Sequence, residues 1–160
     1  MSDNPAIAAI TASGVPFRVV EHGPVRSLAE AAQVRGVAVP DVVKTLVVRL
    51  ADDDYRFVLV PGGRVISWPK LRALLGVTRM SMPDAATAKA ATGFERGTIT
   101  PFGSSTAWPV IADERVRGRE ITLGGGRHGV ALAAPADAVL AVLGATVADV
   151  SDPEPPASKG

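Results

Sequence analysis

Two strand-forming runs separated by an acidic turn constrain this chain more than any other stretch. Val42-Val-Lys-Thr-Leu-Val-Val-Arg-Leu50 is β-branched and nearly continuous, and Tyr55-Arg-Phe-Val-Leu-Val60 follows it across Asp52-Asp-Asp54. The aspartates predict a polar hairpin turn that pairs the two runs. Period two puts Lys44 on the face of Val42, Leu46, Val48 and Leu50. A charged amine on an apolar face either snorkels from the strand end to solvent or projects into a pocket where its charge meets a ligand.

The remaining elements surround this hairpin. Ala6, Ile7 and Ile10 fall at helical spacing between Pro5 and Ala12, and Gly14 stops them. Phe17 to Val20 alternates as a strand. Ser27-Leu-Ala-Glu30 has the form of a capping box and predicts a helix from Leu28 to Arg35, ended by Gly36. Ser67 caps a helix with Pro69 in its first turn and Leu71, Leu74 and Leu75 on one stripe. Another helix is predicted from Asp84 to Ala91. Pro109 to Ala112, Arg119 to Leu123 and Val130 to Ala133 read as strands, and Pro135 opens a last helix ended by Gly144. Strands interleaved with helices favour a mixed α/β or α+β fold in one domain over residues 1–151, followed by a loose, Pro-rich tail over 152–160.

Thr92-Gly-Phe-Glu-Arg-Gly-Thr-Ile-Thr-Pro-Phe-Gly103 is too apolar for a plain linker and too rich in Gly and Pro for a helix. Its glycines tolerate positive φ, and Pro101 biases Thr100 towards extended backbone. A loop shaped in this way can present the N–H groups of Thr98, Ile99 and Thr100 to a carbonyl oxygen or phosphate, or it can be an ordinary turn. A second Gly-rich segment, Gly124-Gly-Gly-Arg-His-Gly129, implies a tight bend.

Composition removes several chemistries. The chain has 160 residues with no cysteine, so disulfides, thiolate metal sites and a Cys nucleophile are excluded. The start, Met1-Ser-Asp-Asn-Pro5, lacks the pattern of a secretory leader and no run is long enough to cross a bilayer, so a cytoplasmic location without membrane attachment is expected. Net charge is +1, and a nucleic-acid surface would have to be a local basic face. There is neither a P-loop, a dinucleotide fingerprint nor a nucleophile elbow. The two histidines, His22 and His128, lack metal-type spacing, and each is read either as a hydrogen-bonded structural residue or as part of a site. Backbone donors around Gly97 to Gly103, the cationic Lys44 and the Arg127-His128 turn are left. Together they can hold an anionic or ester substrate and orient a water without metal or cofactor.

Val43-Lys-Thr-Leu46, the Thr92 to Gly103 loop, Pro109-Val-Ile-Ala-Asp113 and Gly125-Gly-Arg-His-Gly129 resemble, in order and spacing, the successive motifs of the YbaK/EbsC family. That family is related to the editing domain inserted in bacterial prolyl-tRNA synthetases, and the resemblance runs from about Pro5 to Val150. It implies a single compact domain with a curved, mixed β-sheet flanked by helices, and hydrolysis of the ester in a mischarged aminoacyl-tRNA. It also implies a link to tRNA(Pro) or to a prolyl-tRNA synthetase as partner. Lys44 stands where the family has a functionally required lysine, and Gly97 and Pro101 stand at the ends of its Gly-x-x-x-Pro loop. By the same resemblance Lys44 positions the substrate and the loop backbone, Gly97 through Gly103 with Thr98, Ile99, Thr100, Pro101 and Phe102, orients ester and water. Gly126, Arg127 and His128 wall the pocket.

The chain departs from the cysteinyl-tRNA(Pro) deacylases at Val20, Thr98 and Ala131, where such members tend to carry an aromatic residue, a glycine and an acidic residue. The edited amino acid and the oligomeric state are therefore left open, and the departures admit a non-catalytic tRNA- or nucleotide-binding module of the same fold.

Overall fold

The computed structural model describes residues 4–155. Asn4 caps helix α1 (Pro5–Ser13), and its Oδ1 accepts from Ala6 N–H at 2.9 Å and Ile7 N–H at 3.2 Å. Strand β1 (Arg18–Glu21) leads to α2 (Leu28–Arg35), where Ser27 Oγ accepts from Glu30 N–H as the capping pattern predicts. The hairpin forms as β2 (Lys44–Ala51) and β3 (Asp54–Val60), antiparallel, with a register shift between Arg49 and Ala51. A short β4 (Arg64–Ile66), α3 (Trp68–Leu75) and α4 (Ala85–Thr92) precede the Gly-rich loop. Then come β5 (Val110–Asp113), β6 (Glu120–Gly124), β7 (Val130–Pro135), α5 (Ala136–Leu143), β8 (Thr146–Ala148) and β9 (Ser151–Pro153).

Strand order is β1-β7-β6 in one antiparallel sheet and β2-β3-β5-β8 in a mixed sheet, with β3–β5 and β5–β8 parallel. The two meet at a parallel bridge between Val42 and Thr122, where Val43 N–H donates to Thr122 O at 2.9 Å. Alternation along β3 explains why both faces of the mixed sheet are covered. Tyr55, Phe57 and Leu59 enter a large core with Ile10, Phe94, Phe102, Leu132 and Val139, while Val58 and Val60 enter a smaller one with Ile66, Leu71 and Val150. Leu46, Val48 and Leu50 belong to that smaller core, so Lys44 shares their face as its position in the strand predicts.

The expected tail boundary is corrected. Asp152 and Pro153 are in β9, paired with Val65 and Arg64 of β4, and Glu154 N–H donates to Gly63 O at 3.0 Å. Residues 156–160 of the predicted tail lie outside the described residues. Strands β4, β8 and β9 are too short to stand out locally; β8 forms by pairing with β5, β4 by pairing with β9, and a buried carboxylate holds the start of β9.

Asp113, at the end of β5, is fully buried. It accepts from Ser151 Oγ at 2.7 Å, Val150 N–H at 3.1 Å and Arg115 N–H at 3.0 Å, and pairs with the Arg115 guanidinium at 3.1 Å. Burial alone would push the Asp113 carboxyl up, but the bonds from Ser151, Arg115 and Val150 together hold it below the ordinary carboxylate value. Nearby, bonds from Arg115 and Lys70 pull the half-exposed Asp149 carboxyl down to about 2.

Removing one partner from a buried ion pair leaves the other uncompensated. Asp113→Ala is therefore expected to lower stability by about 3–5 kcal/mol in a urea unfolding titration, with β9 released first. Because the folded pKa of Asp149 is depressed, its stabilisation is present above the ordinary value of 3.8 and is lost as pH falls towards about 2. Acid titration of Asp149→Asn should lack that low-pH step.

Candidate active site

Among the described residues the outer edge of β2 is bonded only near its ends. Val43 donates to Thr122, and Arg49 exchanges both backbone bonds with Ser81, at 2.8 and 3.0 Å. Between them, Thr45 to Val47 border a cleft of about 530 Å³. Residues from both faces of the strand line it, Val43, Thr45 and Val47 from one and Lys44 and Leu46 from the other, which is possible only at a strand edge. Its far wall is the start of α4, with Asp84, Ala85 and Ala88, and the loop residues Arg96, Gly97 and Ile99 close one end.

Polar chemistry concentrates there. Among the described residues Thr45 Oγ1 and Arg35 Nε are buried without a hydrogen-bond partner, although most buried polar atoms in folded proteins have one. Arg35 ends α2 and donates through Nη1 to Thr122 Oγ1 at 3.1 Å. Burial lowers its pKa, but a guanidinium remains charged at any ordinary pH. Lys44 Nζ donates to Arg64 O at 2.6 Å, leaving two further donors on the ammonium. Burial also lowers the Lys44 pKa, an effect that the charge of Glu154 partly offsets. Asp84 caps α4 by accepting from Thr87 N–H at 2.8 Å, and this bond lowers its pKa.

The Gly-rich loop is held from within. Thr98 N–H and Oγ1 both donate to Glu95 O, and Gly126 N–H donates to Thr98 O at 3.0 Å, clamping the loop to the second Gly-rich turn. The predicted outward presentation of Thr98 N–H is thereby corrected, because that donor closes the loop's own turn. Thr98, Thr100, Pro101 and Phe102 are buried, and with Gly103 and Gly126 they lie behind the cleft as support and do not line it. Of the loop residues singled out, Gly97 and Ile99 line the cleft. Gly97 has φ +88°, and its N–H makes no backbone bond among the described residues.

Gly97 also lines a neighbouring recess of about 520 Å³ with His22, Arg35, Arg127 and His128. Lys44 and the Arg127-His128 turn thus border adjoining cavities. Of the departures noted in the sequence, Val20 and Ala131 face each other across the β1–β7 ladder. Arg35, Thr45, Asp84 and Arg96 were not singled out by sequence reasoning. A basic residue in a last helical turn looks like a solvated dipole partner, and nothing local to Arg35 distinguishes it from one.

A family model described as the aminoacyl-tRNA editing domain matches residues 22–141. This chain belongs to that family. It is similar to a solved structure described as "a putative trans-editing enzyme for prolyl tRNA synthetase", with TM-score 0.86 and 29% identity over 95% of this chain and 99% of that one. A hypothetical protein of solved structure superposes with TM-score 0.81 at 28% identity, covering 89% of this chain and 96% of the other. A proline–tRNA ligase of Thermosipho melanesiensis is 34% identical over 101 residues, and the match spans 62% of this chain but only 18% of the ligase. The editing domain has the mixed, single-domain α+β fold of these solved structures; of its four sequence motifs, Val43 to Leu46 and the Thr92 to Gly103 loop supply residues that line the cleft, and the Gly125 to Gly129 turn supplies the recess beside it.

The glycines separate shape from site. A Cβ on Gly103, at φ +76°, would lie 2.3 Å from Pro5 O, whereas on Gly97 it would meet only His128 Cε1 at 3.7 Å. Gly103→Ala is expected to cost more than about 3 kcal/mol, from strain plus backbone overlap, and Gly97→Ala about 1–2 kcal/mol from strain alone. Thermal unfolding of the two variants checks the order.

Proposed function

We propose that this editing domain is a trans-acting deacylase that hydrolyses the ester of a mischarged aminoacyl-tRNA, with tRNA(Pro) as the first candidate carrier. The supporting observation is the cleft along the open edge of β2. It combines apolar walls from Val43, Val47 and Ala88 with buried polar groups that have no internal partner. An aminoacyl group supplies what these groups lack. Its ammonium suits Asp84 and the free carbonyl groups of the strand edge, and its ester carbonyl suits cationic donors.

Lys44 is assigned a positioning role. Its ammonium holds Arg64 O and so ties the start of β4 to β2, and its remaining donors can take an oxygen of the substrate. Gly97 contributes a backbone donor at the end of the cleft, where ester and water must meet. An aminoacyl ester is already activated, so orientation supplies much of the rate and little general-base catalysis is required. The similarity to a trans-editing enzyme for prolyl tRNA synthetase favours that synthetase as the partner whose errors are corrected.

The deciding experiment is deacylation of tRNAs mischarged with alanine, serine, cysteine and threonine, on tRNA(Pro) and on their own tRNAs, with wild type beside Lys44→Ala. Hydrolysis of one or a few members is expected, with a loss of about 10²-fold or more in the variant. Tight tRNA binding without turnover of any member would instead establish a binding module. If the charged ammonium is required, activity falls on the alkaline side at a lower pH than an exposed lysine would give, since burial depresses the Lys44 pKa.

A further inference from the structure

The cleft along β2 and the recess beside it share two residues, Arg35 and Gly97. An aminoacyl nucleoside has the same two-part form, with a side chain and ammonium on one side, a nucleoside on the other, and an ester between. The second recess suits the nucleoside. His22 Nδ1 lies 2.8 Å from Gly23 O, and because a carbonyl only accepts, Nδ1 carries the proton. In the neutral ring Nε2 is then a lone-pair acceptor, and it is buried without a partner. A ribose hydroxyl is a donor of the right kind. His22 is held for this purpose by its N–H bond to Gly129 O at 2.9 Å, and a Cβ on Gly129 would come within 2.7 Å of His22 O.

With amino acid and nucleoside in their recesses, the ester falls at the neck. We propose that Arg35 is a catalytic residue of this site, its guanidinium donating to the ester carbonyl oxygen and its charge stabilising the oxyanion that forms there. This rests on the deacylase reading. Arg35 is suited to the role by what it lacks: among the described residues no carboxylate lies within ion-pair distance of it, and its one side-chain hydrogen bond is to the neutral Thr122 hydroxyl. A buried cation without a counter-ion is costly unless a ligand brings negative charge.

The reaction balances without a further reagent. Water adds to the carbonyl carbon, and the carbonyl π pair moves to the oxygen beside Arg35. When the C=O bond reforms, the bond from that carbon to the ribose oxygen breaks. The ribose oxygen leaves with the proton that water gives up, producing the free amino acid and a ribose hydroxyl.

The test uses wild type, Arg35→Gln and Arg35→Lys on two readouts. On the best mischarged tRNA, Arg35→Gln should lower kcat/KM by about 10²-fold, with more of the loss in kcat than in KM and an unchanged melting temperature, and Arg35→Lys should recover part of the loss. The second readout, which needs no hydrolysis, is binding of a stable amide-linked 3′-aminoacylamino-adenosine, compared with adenosine and with adenosine 5′-monophosphate. Arg35→Gln should weaken the amide analogue about tenfold or more and leave adenosine unchanged. Loss confined to the monophosphate would make Arg35 a phosphate grip and overturn the proposal, as would unchanged affinity for the analogue in a folded variant. If wild type cleaves no mischarged tRNA yet the analogue binds in an Arg35-dependent way, the deacylase reading fails and the placement of the ester at Arg35 stands.

Discussion

The site depends on an incomplete strand pairing. Strand β2 is paired to β3 along one side, with a register shift beyond Arg49, but on the other it is bonded among the described residues only through Arg49 and the adjacent Val43. A sheet edge is usually protected against pairing with other chains. Here α4 and the Gly-rich loop stand off from the edge by the width of a cleft, so backbone groups and side chains of both faces border one space. If β6 continued alongside β2 beyond Thr122, the same residues would make an ordinary ladder and the cleft would be filled.

What keeps the loop at that distance is a set of bonds that face away from the cleft. Thr98 closes its turn onto Glu95, Gly126 bonds Thr98 O, and Asn4 Nδ2 bonds Gly125 O at 2.8 Å, tying the start of α1 to the second Gly-rich turn. Gly103 allows the loop to pass against Pro5 without a clash. The buried threonines are therefore the frame, and Gly97 is the part of the loop that reaches the cavity.

Two groups of buried polar residues have opposite fates. Asp113 is surrounded by donors and closes the far end of the mixed sheet, where β9 and its flanking residues depend on it. Among the described residues His22 Nε2, Arg35 Nε and Thr45 Oγ1 are left without partners, and these three residues line the two adjoining cavities, whereas Arg49 Nε and Ser104 Oγ, also without partners, belong to residues that line neither. Full satisfaction marks structure, and three of the five vacancies among the described residues gather at these adjoining cavities.

Local chemistry determined much of this protein from its sequence. The Asp52 to Asp54 turn set the hairpin, Ser27 and Ser67 set helix starts, and Gly14, Gly36, Gly76 and Gly144 set helix ends, because caps and turns act within a few residues. The motifs around Lys44, Gly97 and Arg127 were legible for the same reason, and so was the family. The tertiary structure alone decided that Thr98 faces inwards, that β9 pairs with β4, and that Arg35 stands between two cavities. The last two depend on partners far along the chain, Arg64 and Asp113 for Ser151 and Thr122 for Arg35, while the Thr98 turn closes locally on Glu95 and is clamped in place by the distant Gly126. Whether a polar atom is buried, and whether it has been left without a partner, is a property of such distant neighbours and not of the residues beside it.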